Sequence, residues 1–587
     1  MNSRRCCRPV LPLTTRTFSI SFRTAIVQVA GSTAPWRRGA SKQRLRRVIR
    51  SCSVIALVNS SRQPAQFRAP WTFCMEEGRH LARQPRAPSQ SCCRRRRRNI
   101  GAQSSMASDL DLLSRLLAFE AGKAVPIASH LQLAIRPDAL VLCPIAMAGE
   151  DARIHVVASG VIGDDAEVRC IPNPKLRDDE YELFAWLGRK IERYYMSCRL
   201  AGTYPQLWVA SAAAAGLLDT LADRLRYNRH NPLVKRFGEL LSYATERFPI
   251  PGQQALHTVT GALRAHYATG QQEGEDEHLG TLLTWIEPPR QGNLLAAVAL
   301  AEMQPMGVKT DPTFDRDVLA PLLSRYNSAR RNGASSTALA RRAKQIQDAL
   351  EPVVMPIYDE SQRAIRILGS RGLPPLADLG ALEQREAEEF ASFMNSRDAG
   401  YHLPLRDRPK SAAFKLAARE DAAQNVEAAV IYSDKVERAR ARLGGRILTG
   451  MAENPSRIHV GPRRFEHRID VVSSQRILRL RRGDELSLLE DPRLKGRVTD
   501  IRRSGGKTRV SLVVTHGARA VGLPTARSIV ELGPNAPDWT HLARLRGQMS
   551  ARLSTLPWTH DGTGMPAPTR QPLSPPSDLL AAVETLR

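Results

Sequence analysis

Long apolar runs are missing from this chain of 587 residues. The longest, residues 207–218, has 12 positions and is rich in alanine, whereas a helix that crosses a bilayer needs about 20. The sequence therefore predicts no membrane span, and we expect residues 207–218 to form a buried helix segment. No apolar stretch follows the basic N-terminus either, so a secretory signal is not indicated.

Cysteine is scarce after residue 105. Residues 106–587 contain only Cys143, Cys170 and Cys198, with no Cys-x-x-Cys spacing and no matching histidine pair. This pattern predicts neither a disulfide framework nor a structural zinc site. It is typical of a protein from a reducing compartment, and we predict a cytoplasmic location.

Acidic residues are almost absent from the first 105 positions, which hold 22 Lys or Arg and 2 acids. Three hypotheses account for this segment. It is translated from sequence upstream of the true start, which would then be Met106; it is a cleaved organelle-targeting segment; or it is a basic arm that binds anionic polymers. Because it has no periodic apolar face, we predict that 1–105 is a disordered basic tail. Under the first hypothesis it is not part of the native protein.

The common catalytic signatures are also missing. The sequence has no Gly-x-Ser-x-Gly elbow, no His-Glu-x-x-His helix and no dinucleotide-binding glycine pattern. Gly505-Gly506-Lys507-Thr508 resembles the end of a phosphate-binding loop, but Ile501 stands where that loop needs a glycine. We therefore predict a hairpin turn there, no cofactor and no catalytic residue. An enzyme with an unrecognised site in the helical domain is an alternative.

Two histidines and an acidic cluster are of the residue types that bind metals. His257 and His266 are nine residues apart, which puts them near opposite faces of a helix, and neither has a ligand partner four residues on. The acids of 275–277 are typical of a helix N-terminus. We predict no metal site.

Four stretches with different patterns follow one another along the rest of the chain. Apolar positions recur first at helical spacing, and three short segments rich in Val, Ile and Leu follow, separated by turn residues. Apolar positions then recur at helical spacing over a long region, and with period two near the C-terminus. They predict a mainly α, multi-domain (α+β) protein with an N-terminal β meander, a helical body and a small C-terminal β-barrel. The predicted domains are 106–175 (helix and meander), 176–445 (helices), 457–532 (barrel) and 533–587 (a Pro-rich tail with a short helix near 538–553).

Individual elements can be placed within these domains. The first helix is predicted at 108–122 and the meander strands at 140–147, 153–159 and 167–171. Helices are predicted at 176–198, 205–226, 232–247, 251–268, 275–287, 293–303, 315–329, 335–367 and 409–444. Barrel strands are predicted at 477–480, 485–489, 496–501, 508–514 and 527–532, which is enough to close a small barrel.

The predicted barrel carries the positive charge of the body. Residues 457–530 hold 17 Lys or Arg and 7 acids, whereas residues 106–456 hold 42 and 44. Strand alternation puts Val510, Leu512 and Val514 on one face and Lys507 and Arg509 on the other. We expect one outward basic face that binds phosphates through counterion release. Its candidate residues are Arg479, Arg481, Lys495, Arg497, Arg502, Arg503, Lys507 and Arg509.

A family resemblance covers part of this barrel. Gly483-Asp484-Glu485-Leu486 followed by Lys495-Gly496-Arg497-Val498-Thr499-Asp500-Ile501 resembles the KOW-type small β-barrel, over about residues 480–532. Such barrels occur in ribosomal and transcription proteins, and similar ones are inserted in helicases. The resemblance implies a nucleic-acid-binding barrel.

Aromatic residues are nearly absent from the barrel, where Phe465 stands alone. Single-strand binders stack bases on several aromatic rings, so we expect non-specific contact with the phosphate backbone. The sequence predicts a non-enzymatic accessory protein whose barrel contacts nucleic acid beside a larger partner such as a helicase or nuclease. A protein–protein scaffold without nucleic-acid binding is a further alternative, as is a merely solvated barrel face.

Overall fold

The computed structural model describes residues 107–539, apart from 151–152, 402, 405–406, 408 and 462–463. The predicted tail 1–105 and most of the predicted C-terminal helix lie outside these residues. The described chain contains twelve helices of two turns or more. They are α1 (Ala107–Ala121), α2 (Arg177–Leu200), α3 (Ala212–Leu225), α4 (Pro232–Arg247), α5 (Val259–His266), α6 (Leu279–Ile286), α7 (Leu294–Glu302), α8 (Ala320–Arg331), α9 (Ser336–Ser370), α10 (Leu379–Asp398), α11 (Pro409–Ser433) and α12 (Lys435–Leu443).

The strands form three groups. A two-residue pair joins β1 (Val125–Pro126) to β7 (Tyr267–Ala268). The sheet of the body contains β2 (Leu140–Ala146), β3 (Ile154–Val161), β4 (Glu167–Cys170), β5 (Leu207–Val209) and β6 (Leu256–Thr258). The C-terminal barrel contains β8 (Leu448–Gly461), β9 (Arg464–Ser473), β10 (Glu485–Leu488), β11 (Lys495–Ser504), β12 (Lys507–His516) and β13 (Ile529–Gly533).

The predicted meander is part of a larger mixed sheet. Its strand order is β4-β3-β2-β5-β6, with β2, β3 and β4 antiparallel and β5 and β6 parallel to β2. The parallel strands correct the sequence analysis, which predicted helix at 205–226 and 251–268. Leu207, Trp208 and Val209 are fully buried, and the chain becomes helical only at Ala212, after the extended Ser211.

Helices cover both faces of this sheet. On one face Leu140, Leu142 and Val157 pack with α2, α3 and α4; on the other Val141, Cys143 and Val156 pack with α5, α6 and α9. Every residue of β2 is buried, as expected for a strand between two helical layers. The body is therefore mainly helical around a central sheet.

A single carboxylate ends the helix that the sequence predicted at 409–444. The Asp434 side chain accepts hydrogen bonds from the backbone N–H groups of Val436 and Glu437, at 2.8 and 3.3 Å, and of Ser129 at 2.7 Å. It thereby caps α12 and separates it from α11. The other predicted helices were approximately correct in position, including α1, which begins one residue early.

The C-terminal domain is a closed barrel of six antiparallel strands in the order β10-β11-β12-β9-β8-β13. Its interior holds Leu448, Val471, Val498, Val510 and Leu512, all buried. The barrel confirms the sequence prediction, with two corrections. Its first strand begins at Leu448, before the predicted boundary, and residues 477–480 form a loop rather than a strand.

The barrel packs against the helical body through both chain connections. Ile447 and Leu489 of the barrel bury against Ile431 and Ala441. The chain that leaves β13 returns to the body, where Trp539 packs beside Leu376, Leu379 and Leu382. None of the described helices has the length and apolar character needed to cross a bilayer.

Candidate nucleic-acid interface

The hairpin between β11 and β12 turns on two glycines. Gly505 and Gly506 have φ angles of +58° and +73°, which a two-residue type I′ turn requires and which glycine adopts without a steric penalty. A strand follows, with Ser504 opposite Lys507. Gly505 and Gly506 therefore form a hairpin turn, as predicted, between Arg502 and Arg503 at the end of β11 and Lys507 at the start of β12.

A β-bulge in β11 decides which of its charged residues face outward. The register pairs Val498 with Leu512 and Asp500 with Ser511, so Thr499 is an extra residue. The extra residue shifts the alternation, and both Arg497 and Arg502 reach the outer surface although they differ in parity. The sequence analysis used uniform alternation and could not place this shift.

Charges on the outer surface form rows across the strands. Arg497 of β11 is in line with Val513 of β12 and Arg468 of β9. Four positions along β12 from Val513, Arg509 is in line with Arg502. Between these basic rows lies an acidic row whose members are Asp500, Asp470 and Glu453. At ~3.4 Å per residue the two basic rows are roughly 14 Å apart.

Two of the eight predicted cations have carboxylate partners. Arg509 contacts Glu453 at 2.7 Å and Asp470 at 3.1 Å. Asp500 contacts Arg502 at 2.6 Å and also forms an ion pair with Arg482. These contacts hold the pKa of Asp500 below its usual range, mainly through the hydrogen bond from Arg502. The carboxylates of the acidic row thus hold the side chains of Arg502 and Arg509 in place.

The remaining predicted cations form no ion pair with any described residue. Arg479 and Arg481 lie in the loop before β10, where the Gly483 N–H bonds to the Val498 carbonyl at 2.8 Å and holds the loop beside β11. Lys495 begins β11, and Arg503 and Lys507 lie at its other end, so the eight side chains do not form a single patch. The six without carboxylate partners are Arg479, Arg481, Lys495, Arg497, Arg503 and Lys507.

Sequence reasoning missed the acidic row and the cations opposite it. Glu453, Asp470 and Arg468 lie on β8 and β9, where no strand was predicted. The signal was present, because Arg468, Asp470 and Val472 alternate with the buried Ile469 and Val471. Without the pairing register, however, nothing placed these residues beside Arg509.

The ring of the single aromatic residue of the barrel already packs against other side chains. Phe465 is 44% exposed near the tip of the β8–β9 hairpin. The Arg457 guanidinium lies over its ring, 3.7 Å from the centroid, and the His459 ring meets it at 4.8 Å. Its face already has a cation–π partner, so contact with nucleic acid would fall to the charged side chains.

His257 lies on β6 and His266 at the end of α5, so the two histidines do not share one helix as the sequence analysis expected. Among the described His, Cys, Asp and Glu side chains no group of three or more has the arrangement of a metal site. Burial raises the pKa of Cys143 and Cys170 to about 12 and that of Cys198 to about 11. These three thiols are unreactive at neutral pH because the thiolate is the reactive form.

Comparison of the chain with models of known families, with curated proteins and with solved structures gave no match. The KOW resemblance therefore stays an expectation. What the structure supports is a closed six-stranded barrel whose surface carries unpaired cations.

Proposed function

We propose that the barrel binds the phosphate backbone of nucleic acid without sequence preference. The observation that carries this proposal is the group of six barrel cations with no carboxylate partner among the described residues. Such side chains can exchange condensed counterions for direct phosphate contacts, which favours binding at low salt. Arg509 and Arg502 have acidic partners that hold them in place, and the N–H groups that these carboxylates do not use can still donate to a phosphate.

The spacing of the cations favours contact with two backbones rather than one. The basic rows through Arg497 and Arg502 are roughly 14 Å apart, close to the ~12 Å width of a DNA major groove. Lys507, two positions from Arg509 on β12, extends the outer face towards the hairpin tip, whereas Arg503 pairs with Thr508 and follows the opposite alternation. A duplex is therefore the preferred ligand in this proposal.

The wider role that we propose is that of a non-enzymatic accessory protein. The barrel would hold the nucleic acid while the helical body docks a larger partner that acts on it, such as a helicase or nuclease. Leu300 and Met303, at the end of α7, expose 70% and 79% of their surface. A partner that docked on this helix end would bury both side chains.

The binding test uses the intact protein with fluorescent DNA duplexes and single-stranded RNAs of unrelated sequence. Affinity is measured between about 50 and 200 mM salt. Replacing Arg503 and Lys507 together by Ala should weaken binding to every sequence alike and reduce the salt slope by about one unit per lost contact. The free energy of unfolding should change by no more than ~0.5 kcal/mol, because both side chains are exposed.

The matched control removes the same net charge from the body. Arg189 and Arg193 are exposed on α2 and form no ion pair with the described residues, and replacing both by Ala should leave the salt slope unchanged. An equal loss of affinity in the control would place binding elsewhere than the barrel. Absence of any binding at low salt would reject the proposal and favour the protein-scaffold alternative.

A further inference from the structure

A cavity of about 300 Å³ lies in the helical body, between α4, α10 and α11. Its volume is at the lower end of the range found for small-molecule sites, ~300–1,000 Å³. None of its lining residues belongs to the barrel, so it is independent of the proposed nucleic-acid interface. Nothing in the sequence analysis pointed to it, because its residues come from helices far apart in the chain.

The cavity is lined by twice as many cations as acids. The acids are Glu239, Glu246 and Glu389. The cations are Arg226, Arg247, Arg385, Arg397, Lys415 and Arg419.

Part of this charge is neutralised within the wall. Arg247 donates to the fully buried Glu386 at 3.0 Å, and Glu386 also accepts from the Tyr243 hydroxyl at 2.8 Å and the Gln254 N–H at 3.1 Å. Arg226 contacts Glu246 at 3.3 Å. The charges of Arg247 and Arg226 in the cavity wall are therefore balanced by carboxylates.

Two arginines in the lining lack such compensation. Arg385 and Arg419 form no ion pair with any described residue. Burial and the neighbouring Arg247 lower the pKa of Arg385. In addition, the buried Nε of Arg385 and the buried Nη1 of Arg397 have no hydrogen-bond acceptor among the described residues. An unsatisfied buried donor destabilises the fold, and an anion in the cavity would supply the missing acceptors.

Aromatic side chains provide the remaining wall. Tyr243 and Phe393 pack with their ring centroids 5.1 Å apart, and Phe414 also lines the space. Tyr401, which is 60% exposed, lies at the cavity too. Flat rings beside arginines match a ligand that has both a planar apolar part and a negative charge.

We propose that this cavity binds a planar aromatic anion about the size of a mononucleotide. The anionic group accepts hydrogen bonds from the arginines, chiefly from Arg385 and Arg419, which form no ion pair with a described residue. The aromatic part packs against Phe393 and Phe414. This site does not depend on nucleic-acid binding by the barrel.

The probe for the test is anilinonaphthalene sulfonate, an anion with a planar naphthalene ring that fluoresces when it leaves water. The intact protein should bind one molecule per chain. Replacing Arg385 or Arg419 by Gln should weaken binding about tenfold or more, which corresponds to ~1.4 kcal/mol. Uncharged phenylnaphthylamine, which has the same rings, should bind the variants and the unmodified protein alike.

Arg366→Gln is the control, because Arg366 is exposed on α9, outside the cavity. It should bind the sulfonate like the unmodified protein. The half-buried Arg419 gives a second test if the Arg385 variant folds poorly. Failure of the probe to bind stoichiometrically, or equal affinity in the Arg419 variant, would overturn the proposal. Neither outcome bears on duplex binding by the barrel.

Discussion

At the tip of the β11–β12 hairpin, two glycines hold backbone angles that any side chain would oppose. Both positions were predicted as a turn, because a Gly-Gly pair between alternating segments is a strong local signal. Arg479 and Arg481 show the limit of such local signals. They alternate with Leu478 and Leu480 as in a strand, yet the backbone there pairs with no neighbouring strand. Alternation alone does not distinguish a strand from an extended loop that packs on the barrel.

The first prediction concerns Gly506, whose φ is +73°. A methyl group at this position would meet no atom within 4 Å, so Gly506→Ala adds backbone strain without a steric clash. We expect a destabilisation of ~1–2 kcal/mol, the cost of a left-handed alanine. Urea denaturation of the intact protein measures it.

Gly149→Ala serves as the control for this change. Gly149 also has open space around its Cα and does not have a positive φ. The alanine there should be neutral or slightly stabilising, because it restricts the unfolded chain. Equal effects of the two substitutions would contradict the argument from backbone strain.

At the scale of the elements, length decided what the sequence could predict. The antiparallel strands β2, β3 and β4 span four to eight residues and stood out by composition and turns. The parallel strands β5 and β6 have three residues each, shorter than any strand pattern. Their positions follow from pairing with β2 across the core, which a single sequence does not reveal.

The second prediction follows from two histidines of the central sheet. Burial lowers the pKa of His155 on β3 and of His257 on β6 to about 4, from 6.5. The unfolded chain then binds protons more readily than the folded one. The contribution of these histidines to the free energy of unfolding is therefore fully present above pH 6.5 and is lost as the pH falls towards 4. Each histidine contributes a slope of up to ~1.4 kcal/mol per pH unit within that window.

His155→Leu tests this origin of the acid sensitivity. The urea midpoint of the variant should fall less steeply between pH 6.5 and 4 than that of the unmodified protein, since one of the two sites no longer takes up a proton. His230→Leu, a change at an exposed position, should retain the original slope. If the His155 variant also retains it, the slope comes from other groups.

At the scale of the described molecule, the body and the barrel are joined by two crossings of the chain. One runs from α12 into β8, supported by the Arg442–Glu531 contact at 3.1 Å. The other returns from β13 to Trp539, with the Asp538 N–H donating to Asn425 at 2.9 Å. The succession of helical body and barrel was predictable from changes in periodicity and charge. The cavity was not, because it depends on how helices distant in sequence pack together.

The third prediction is that Trp539 fastens the barrel to the body. Trp539→Ala removes its packing against Leu376, Leu379 and Leu382, so the barrel should separate from the helices more often. Limited proteolysis should then cut faster in the connection between α12 and β8. Phe465→Ala removes an aromatic ring far from this contact and should leave the cleavage rate unchanged. Unaltered cleavage in the Trp539 variant would show that the connection from α12 to β8 alone holds the barrel against the body.

Closure of the barrel depends on its shortest strand. β10 meets β13 only at Ser487–Gly533 and Leu488–Leu532, whereas β11 and β12 pair along almost their whole length. Local opening begins where the fewest hydrogen bonds must break, so the amides of β10 should exchange with solvent deuterium before those of β12. Each opening would briefly expose two unpaired strand edges. At high concentration this seam is where strands of two copies could exchange, and shortening it further would favour a domain-swapped form of the barrel.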